Sequence, residues 1–156
     1  MIINIIAAVG KNLELGKDNK LIWPIKEDLI YFKEKTLGKT VVMGKNTFYS
    51  IGKALPGRNN IVLTSGNIEV DNIKVLHDYK EVFSLEEDEI YIIGGESIYR
   101  LFLPYADNLY LTEIDKEDLL ADSYFPYFNK NDYYKEIIKK SSSNDLNYSF
   151  VRYGKK

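Results

Sequence analysis

The chain opens on a nearly unbroken apolar run, Ile2-Ile3-Asn4-Ile5-Ile6-Ala7-Ala8-Val9. Rich in β-branched residues and without polar alternation, it predicts a central strand covered on both faces. Short runs of the same kind recur at Thr40–Met43, Asn60–Ser65, Ile73–His77, Glu89–Gly95 and Asn108–Ile114. Between them the spacing changes to threes and fours. Ile25, Asp28, Leu29 and Phe32 share one face of a helix that begins near Ile25 and ends before Gly38. Lys45–Ile51 reads as a short helix, and Asp78 with Glu81 as a capping box opening another through Phe83. Glu96–Leu103 reads as a helix with Ile98, Leu101 and Phe102 inward and Pro104 as its stop. Tyr134–Lys139 and Tyr148–Tyr153 close the chain as an antiparallel hairpin around Ser141–Asp145. Strands alternating with helices through the first two thirds predict an α/β fold, a mostly parallel sheet with helices on both faces.

Length and composition narrow this picture. A chain of 156 residues is expected to form one domain, 1–156. Its net charge of −2, without a Lys/Arg cluster, removes the electrostatic footprint of nucleic-acid binding. The absence of cysteine excludes disulfides, thiolate nucleophiles and cysteine metal sites, and a single histidine removes most zinc and Ser-His-Asp possibilities. No metal site is expected. The N-terminal run has no charged leader, no apolar stretch reaches a membrane span, and a cytoplasmic location is the default expectation.

Two features invite chemistry. Asp28 places a carboxylate on the apolar face of its helix, which is costly unless something pairs with it. It stabilises the helix dipole in the first turn, or it meets an internal partner or a ligand. Glycine also stands at two strand-to-helix junctions, Gly44-Lys45-Asn46-Thr47 and Gly94-Gly95-Glu96-Ser97. In open α/β sheets ligands collect at such strand ends, and helix N-termini attract phosphate. Neither junction is a standard phosphate motif, and Ser65 and Ser97 have no histidine near them in sequence. Hard chemistry would therefore come from a cofactor, and a phosphate-bearing redox cofactor suits the paired junctions.

In order along nearly the whole chain stand Ile6-Ala7-Ala8, Gly16-x-x-Asn19, Trp23, Asp28-Leu29-x-x-Phe32 and Val42-Met43-Gly44-Lys45-x-Thr47. They continue with Ser50-Ile51-Gly52, Leu55-Pro56-Gly57-Arg58, Ile93-Gly94-Gly95-x-x-Ile98-Tyr99, Leu109-x-Leu111-Thr112 and Phe125-Pro126. By these motifs the sequence resembles the dihydrofolate reductases. The resemblance implies their fold, a mixed, mostly parallel sheet of about eight strands with a C-terminal antiparallel hairpin and about four helices on both faces. It implies reduction of 7,8-dihydrofolate to tetrahydrofolate by NADPH, in a monomer that antifolates would inhibit competitively.

Carried over position by position, the resemblance makes Asp28 the pterin anchor, hydrogen-bonded by Thr112, with Trp23 shielding the pocket and ordering water. Ile6, Ala8, Leu21, Leu29, Phe32, Ile51 and Leu55 would wall the substrate site, Arg58 would clamp its glutamate carboxylate, and Tyr99 would flank pterin and nicotinamide with Ala8. Gly44, Lys45, Asn46 and Thr47, with Ile93, Gly94, Gly95, Glu96, Ser97 and Ile98, would cradle NADPH, Gly94-Gly95 through a cis peptide. Lys45 and Ser65, beside Leu63 and Thr64, would meet the 2′-phosphate. His77 would lie near the adenine or simply at the surface, and Leu15, Gly16 and Asn19 would complete the cofactor side. Two departures stand out, Ile22 immediately before the tryptophan and Lys26 two residues before the aspartate, where the family usually has proline. Lys45 also stands where arginine is common. A related pyrimidine reductase of riboflavin biosynthesis fits the fold but not the Trp23, Asp28, Phe32 and Arg58 set. A non-catalytic NADPH- or folate-binding protein is the alternative of another class.

Overall fold

A computed structural model describes all residues, Met1–Lys156. In chain order the elements are β1 (Ile2–Val9), β2 (Glu14–Lys17), β3 (Lys20–Leu21), α1 (Lys26–Thr36), β4 (Thr40–Gly44), α2 (Lys45–Ile51), β5 (Asn59–Leu63) and β6 (Ile73–Leu76). A 3-10 segment, Tyr79–Ser84, follows, then β7 (Glu89–Gly94), α3 (Glu96–Phe102), β8 (Asn108–Ile114), β9 (Ser123–Tyr124), β10 (Tyr133–Ser143) and β11 (Leu146–Lys155). Eight strands form one sheet in the order β10-β11-β8-β1-β7-β4-β5-β6, in which only β11 runs against the rest. The continuous apolar run of β1 thus lies inside the sheet, between β7 and β8, and buries both faces as its pattern predicts.

Alternate residues feed two cores. Ile3, Ile5 and Val9 pack with Ile90, Ile92, Val82, Phe102 and Tyr153 on the α3 face. Ile6 packs with Val41, Met43, Phe48, Val62 and Ile93 on the other, where Phe32 of α1 joins them. Helical segments therefore cover both faces, three α-helices and the 3-10 turn at Tyr79–Ser84.

Two sequence expectations need adjustment, and one stretch in which periodicity marks no element acquires one. The Asp78 capping box is present, yet it opens a 3-10 turn rather than an α-helix. On α3 the inward face is Ile98, Tyr99 and Phe102, while Leu101 is exposed. The helical angles of residues 98, 99 and 102 cluster together and leave 101 on the flank. The segment between Leu13 and Leu21 is not an open loop. β2 and β3 form a hairpin, and β9 pairs with β2 to make a separate three-stranded sheet. Its turn is Asp18-Asn19, with φ of 52° and 61°, the positive values that a tight two-residue hairpin turn demands. These strands, only four and two residues long, carry no apolar alternation, so periodicity did not mark them.

Candidate active site

Asp28 sits in the first turn of α1, whose preceding residue, Ile25, makes no side-chain cap. Its carboxylate points to the sheet instead of solvent. Thr112 Oγ1 donates to Asp28 Oδ1 at 2.6 Å. Thr112 is buried in β8 and stands opposite Ala8 of β1, so both lie near the carboxyl ends of their strands. Burial pushes the Asp28 carboxyl above its ordinary pKa, and the Thr112 bond works in the opposite direction. The sequence left Asp28 with either a dipole role or a partner; it has the partner.

Trp23 lies beside this pair, half-buried and packed with Ala8 against Ile25, Ile114, Tyr148 and Phe150. The buried Tyr99 donates its hydroxyl to Ile6 carbonyl oxygen at 2.8 Å, and burial raises its phenol pKa. Ile6, Ala8, Trp23, Asp28, Tyr99 and Thr112 are thereby gathered around the ends of β1 and β8. Phe32 and Leu55 pack onto the same core as Ile6. Leu21, Leu29 and Ile51 are aliphatic yet 50%, 55% and 37% exposed. They lie on β3, α1 and α2, and Ser50 Oγ, donating to Asn19 carbonyl oxygen at 2.8 Å, holds the hairpin against α2. Leu21 and Ile51 thus stand on elements held together, and exposed aliphatics of this kind can meet an apolar ligand.

Arg58 spends two donors internally, Nε on Pro56 carbonyl oxygen at 2.9 Å and Nη1 on Thr36 Oγ1 at 3.1 Å. These bonds fix the guanidinium at the C-terminal end of α1, with its remaining N–H groups free of internal partners.

The two glycine junctions meet each other. Met43 of β4 stands opposite Gly94 of β7. A Cβ on Gly44 would lie 3.0 Å from Ile98 Cγ1, and one on Gly95 would lie 3.4 Å from Thr47 Oγ1. Gly94 has φ of 116°, and a Cβ there would press on Tyr99 at 3.2 Å. The Gly94-Gly95 peptide is cis. Neither α2 nor α3 has a side-chain cap, so the first N–H groups of both helices remain available. Such a cradle of bare glycine and free N–H suits a pyrophosphate. Lys45, Asn46, Ser97 and Ser65 are exposed along its rim, and Thr47 and Thr64 are half-buried, while Leu63 and Ile93 lie in the core beneath. Gly16 is buried and Leu15 half-buried in β2, with Asn19 exposed at the hairpin turn.

Two residues expected on the cofactor side make contacts of their own. Glu96 accepts from Tyr124 N at 2.6 Å and pairs with Arg100 at 3.7 Å, tying α3 to β9. His77 is exposed and bonds through Nδ1 to Thr64 carbonyl oxygen at 2.9 Å, joining the ends of β5 and β6.

The sequence missed three contributors. Glu14, a polar residue in a polar stretch, is wholly buried and accepts from Asn12 N and Asp118 N, each at 2.7 Å. Asp122 accepts from Asp18 N at 2.8 Å, and its own N–H donates to Gly16 carbonyl oxygen at 3.1 Å. Glu27, next to Asp28, accepts from Lys139 Nζ, Ser141 Oγ and Tyr148 OH at 2.8, 2.5 and 2.7 Å. All three depend on partners some hundred residues away, beyond the reach of local pattern.

Comparison with known proteins gives the family. A family model described as dihydrofolate reductase matches residues 2–155. The chain belongs to the dihydrofolate reductase family. The dihydrofolate reductase of Buchnera aphidicola subsp. Acyrthosiphon pisum is 41% identical over 96% of this chain and 97% of that protein. The dihydrofolate reductase of Bacillus subtilis is 39% identical over 99% of this chain and 95% of its own. A solved dihydrofolate reductase from Enterococcus faecalis, complexed with NADP(H) and RAB-propyl, superposes with a TM-score of 0.90 at 28% identity, covering 99% of this chain and 96% of that one. The dihydrofolate reductase fold expected from the sequence is present. The family's reaction is that of the chain, an NADPH-dependent reduction of dihydrofolate to tetrahydrofolate.

Proposed function

We propose that Asp28 anchors the pterin and that the Asp28–Thr112 pair is the polar centre of the reaction. One observation carries this reading. A carboxylate raised in pKa by burial and bonded by a buried threonine at 2.6 Å points at the ends of the central strands beside exposed apolar walls. Its two oxygens match a ring N–H and an exocyclic amine, a charge-assisted bidentate contact. The Thr112 hydroxyl occupies one lone pair of Oδ1 and fixes the plane in which the carboxylate presents the other sites. NADPH supplies the hydride. Asp28 favours the cationic, protonated state of the pterin, and Trp23 shields the pocket and orders the water beside Asp28 through which the proton arrives. Leu21, Leu29, Phe32 and Ile51 exclude bulk water around the rings, which strengthens the carboxylate's field there.

Gly44–Thr47 and Gly94–Ile98 hold the cofactor's pyrophosphate through backbone N–H groups, and Lys45 and Ser65 reach its 2′-phosphate. Arg58, already oriented by Pro56 and Thr36, clamps the substrate's terminal carboxylate with its free edge. Antifolates that present a protonated diamino ring would compete for Asp28. We further assign residues 1–156 to one domain acting as a cytoplasmic monomer. No helix is long and apolar enough to cross a membrane.

The test is direct. Protein, NADPH and dihydrofolate are mixed and the nicotinamide absorbance is followed. Signal that persists with folded protein refutes the assignment of activity, and Asp28→Asn with unchanged turnover at neutral pH refutes the role of Asp28.

A further inference from the structure

Glu14 is a fully buried carboxylate at 1% exposure that the reaction does not use. Burying a charge costs several kcal/mol unless hydrogen bonds replace its water. Here both oxygens are served by backbone, and the two donors belong to different segments. Oε1 accepts from Asn12 N, within the β1–β2 connection, and Oε2 accepts from Asp118 N, within the segment between β8 and β9. A leucine or valine would fill the same place without the desolvation cost. What the carboxylate adds is register between two chain segments.

The clamp also touches the active site. A Cβ on Gly10 would lie 2.5 Å from Glu14 Oε1 and 2.7 Å from Trp23 Cη2, so carboxylate and indole both rest against the same bare backbone. Gly10 N donates to Glu14 carbonyl oxygen at 3.1 Å and closes the arrangement. Further bonds run along the same seam: Lys11 N to Lys116 carbonyl oxygen at 2.9 Å, Phe125 N to Leu13 carbonyl oxygen at 2.8 Å and Asp18 N to Asp122 at 2.8 Å. Among these Glu14 is the side chain buried from solvent, and the one set against Trp23.

We propose that Glu14 is a positioning residue for hydride transfer: it fixes the β1–β2 connection to the 115–122 segment and so sets where Trp23 and the β2–β3 hairpin stand over the reacting ligands. The inference rests on the site reading above, but its own geometry is testable apart from turnover. Glu14→Leu removes both acceptors while keeping apolar bulk. Glu14→Gln keeps one acceptor and turns an amide N–H₂ toward the other donor, so it weakens the clamp while sparing the packing.

Four readouts are needed: melting temperature, amide hydrogen exchange at Asn12 and Asp118, the single-turnover rate of hydride transfer with NADPH and dihydrofolate, and the affinity for a folate analogue. The expected result is faster exchange at both amides and hydride transfer slowed about tenfold or more in Glu14→Leu, with a smaller loss in Glu14→Gln. Affinity for a folate analogue should change by less than about threefold, and the rate loss should persist well below the melting temperature. A stable Glu14→Leu protein with wild-type hydride transfer overturns the proposal. Glu14→Gln with wild-type exchange and rate overturns it too, and serves if the leucine variant does not fold. If the wild-type protein itself turned nothing over, the exchange data would still report on the clamp, and the fault would lie with the activity assignment.

Discussion

Asp28 is held between two opposing influences, burial that favours its neutral acid and the Thr112 hydroxyl that favours the carboxylate. Removing the hydroxyl with Thr112→Val leaves burial unopposed. The Asp28 pKa should therefore rise further, and the acidic limb of the single-turnover pH profile should move to higher pH. Asp28→Asn removes the charge altogether. Turnover at neutral pH should fall by about a hundredfold or more, and recover in part at acid pH, where the substrate arrives already protonated. Stability moves the other way. Because folding raises the Asp28 pKa, the folded protein takes up the proton more readily, and this group's effect on stability grows less favourable as pH rises through that pKa. A neutral asparagine escapes this cost. Asp28→Asn should melt a few degrees, roughly 2–4 °C, above the parent at pH 7 and no higher than it at acid pH. Equal melting differences at both pH values would contradict the burial argument.

At the scale of elements, the main strands and α1–α3 were readable because each has an internal period that packing then uses. β1 read as buried on both faces and is so. The Asp28 helix begins where its apolar face begins, although Lys26 replaces a proline. The β2–β3 hairpin was not readable, since its strands are short, carry no apolar alternation and are held by Glu14, Asp122 and Ser50. The missing proline at Ile22 has not left this hairpin unanchored; the Asp18-Asn19 turn and those three side chains hold it. Gly10 is the tightest point in that assembly. Gly10→Ala would drive a methyl into Trp23 and Glu14 and should cost about 1–3 kcal/mol, measurable by denaturant unfolding, with Trp23 fluorescence altered in the folded state. The glycine junctions were visible as turns, yet nothing local revealed that Gly44 abuts Ile98 or that Gly95 abuts Thr47. Those contacts come from β4 and β7 lying side by side, a non-local fact.

Across the whole molecule, Glu27 ties the start of α1 to the β10–β11 hairpin through Lys139, Ser141 and Tyr148. The Lys139 bond above all, then Ser141 and Tyr148, lowers its pKa from 4.5 to about 2. A carboxylate with a depressed folded-state pKa stabilises fully above its unfolded value and loses that contribution as pH falls through the folded one. Melting temperatures of the parent and Glu27→Gln should therefore differ most above pH 4.5 and converge towards pH 2. Added salt should narrow the gap, since the Lys139 pair faces solvent. A gap that widened on acidification would contradict this assignment.

The one strand that runs against the others has a consequence for how the molecule comes into being. β11 contributes Phe150, Val151 and Tyr153 to the two sheet faces, bonds along the whole of β8, and carries the Tyr148 hydroxyl that holds Glu27. β8 in turn covers one side of β1. During synthesis the ribosome releases β1 first and β11 after every other strand, so the flank of β8 stays uncovered until residues 146–155 emerge. A nascent chain stalled before Leu146 would carry a bare sheet edge and a core lacking Tyr148, Phe150, Val151 and Tyr153, the kind of surface that chaperones bind and that pairs with neighbouring chains. Closure of the sheet over β8 thus waits on β11, whatever has already folded before it.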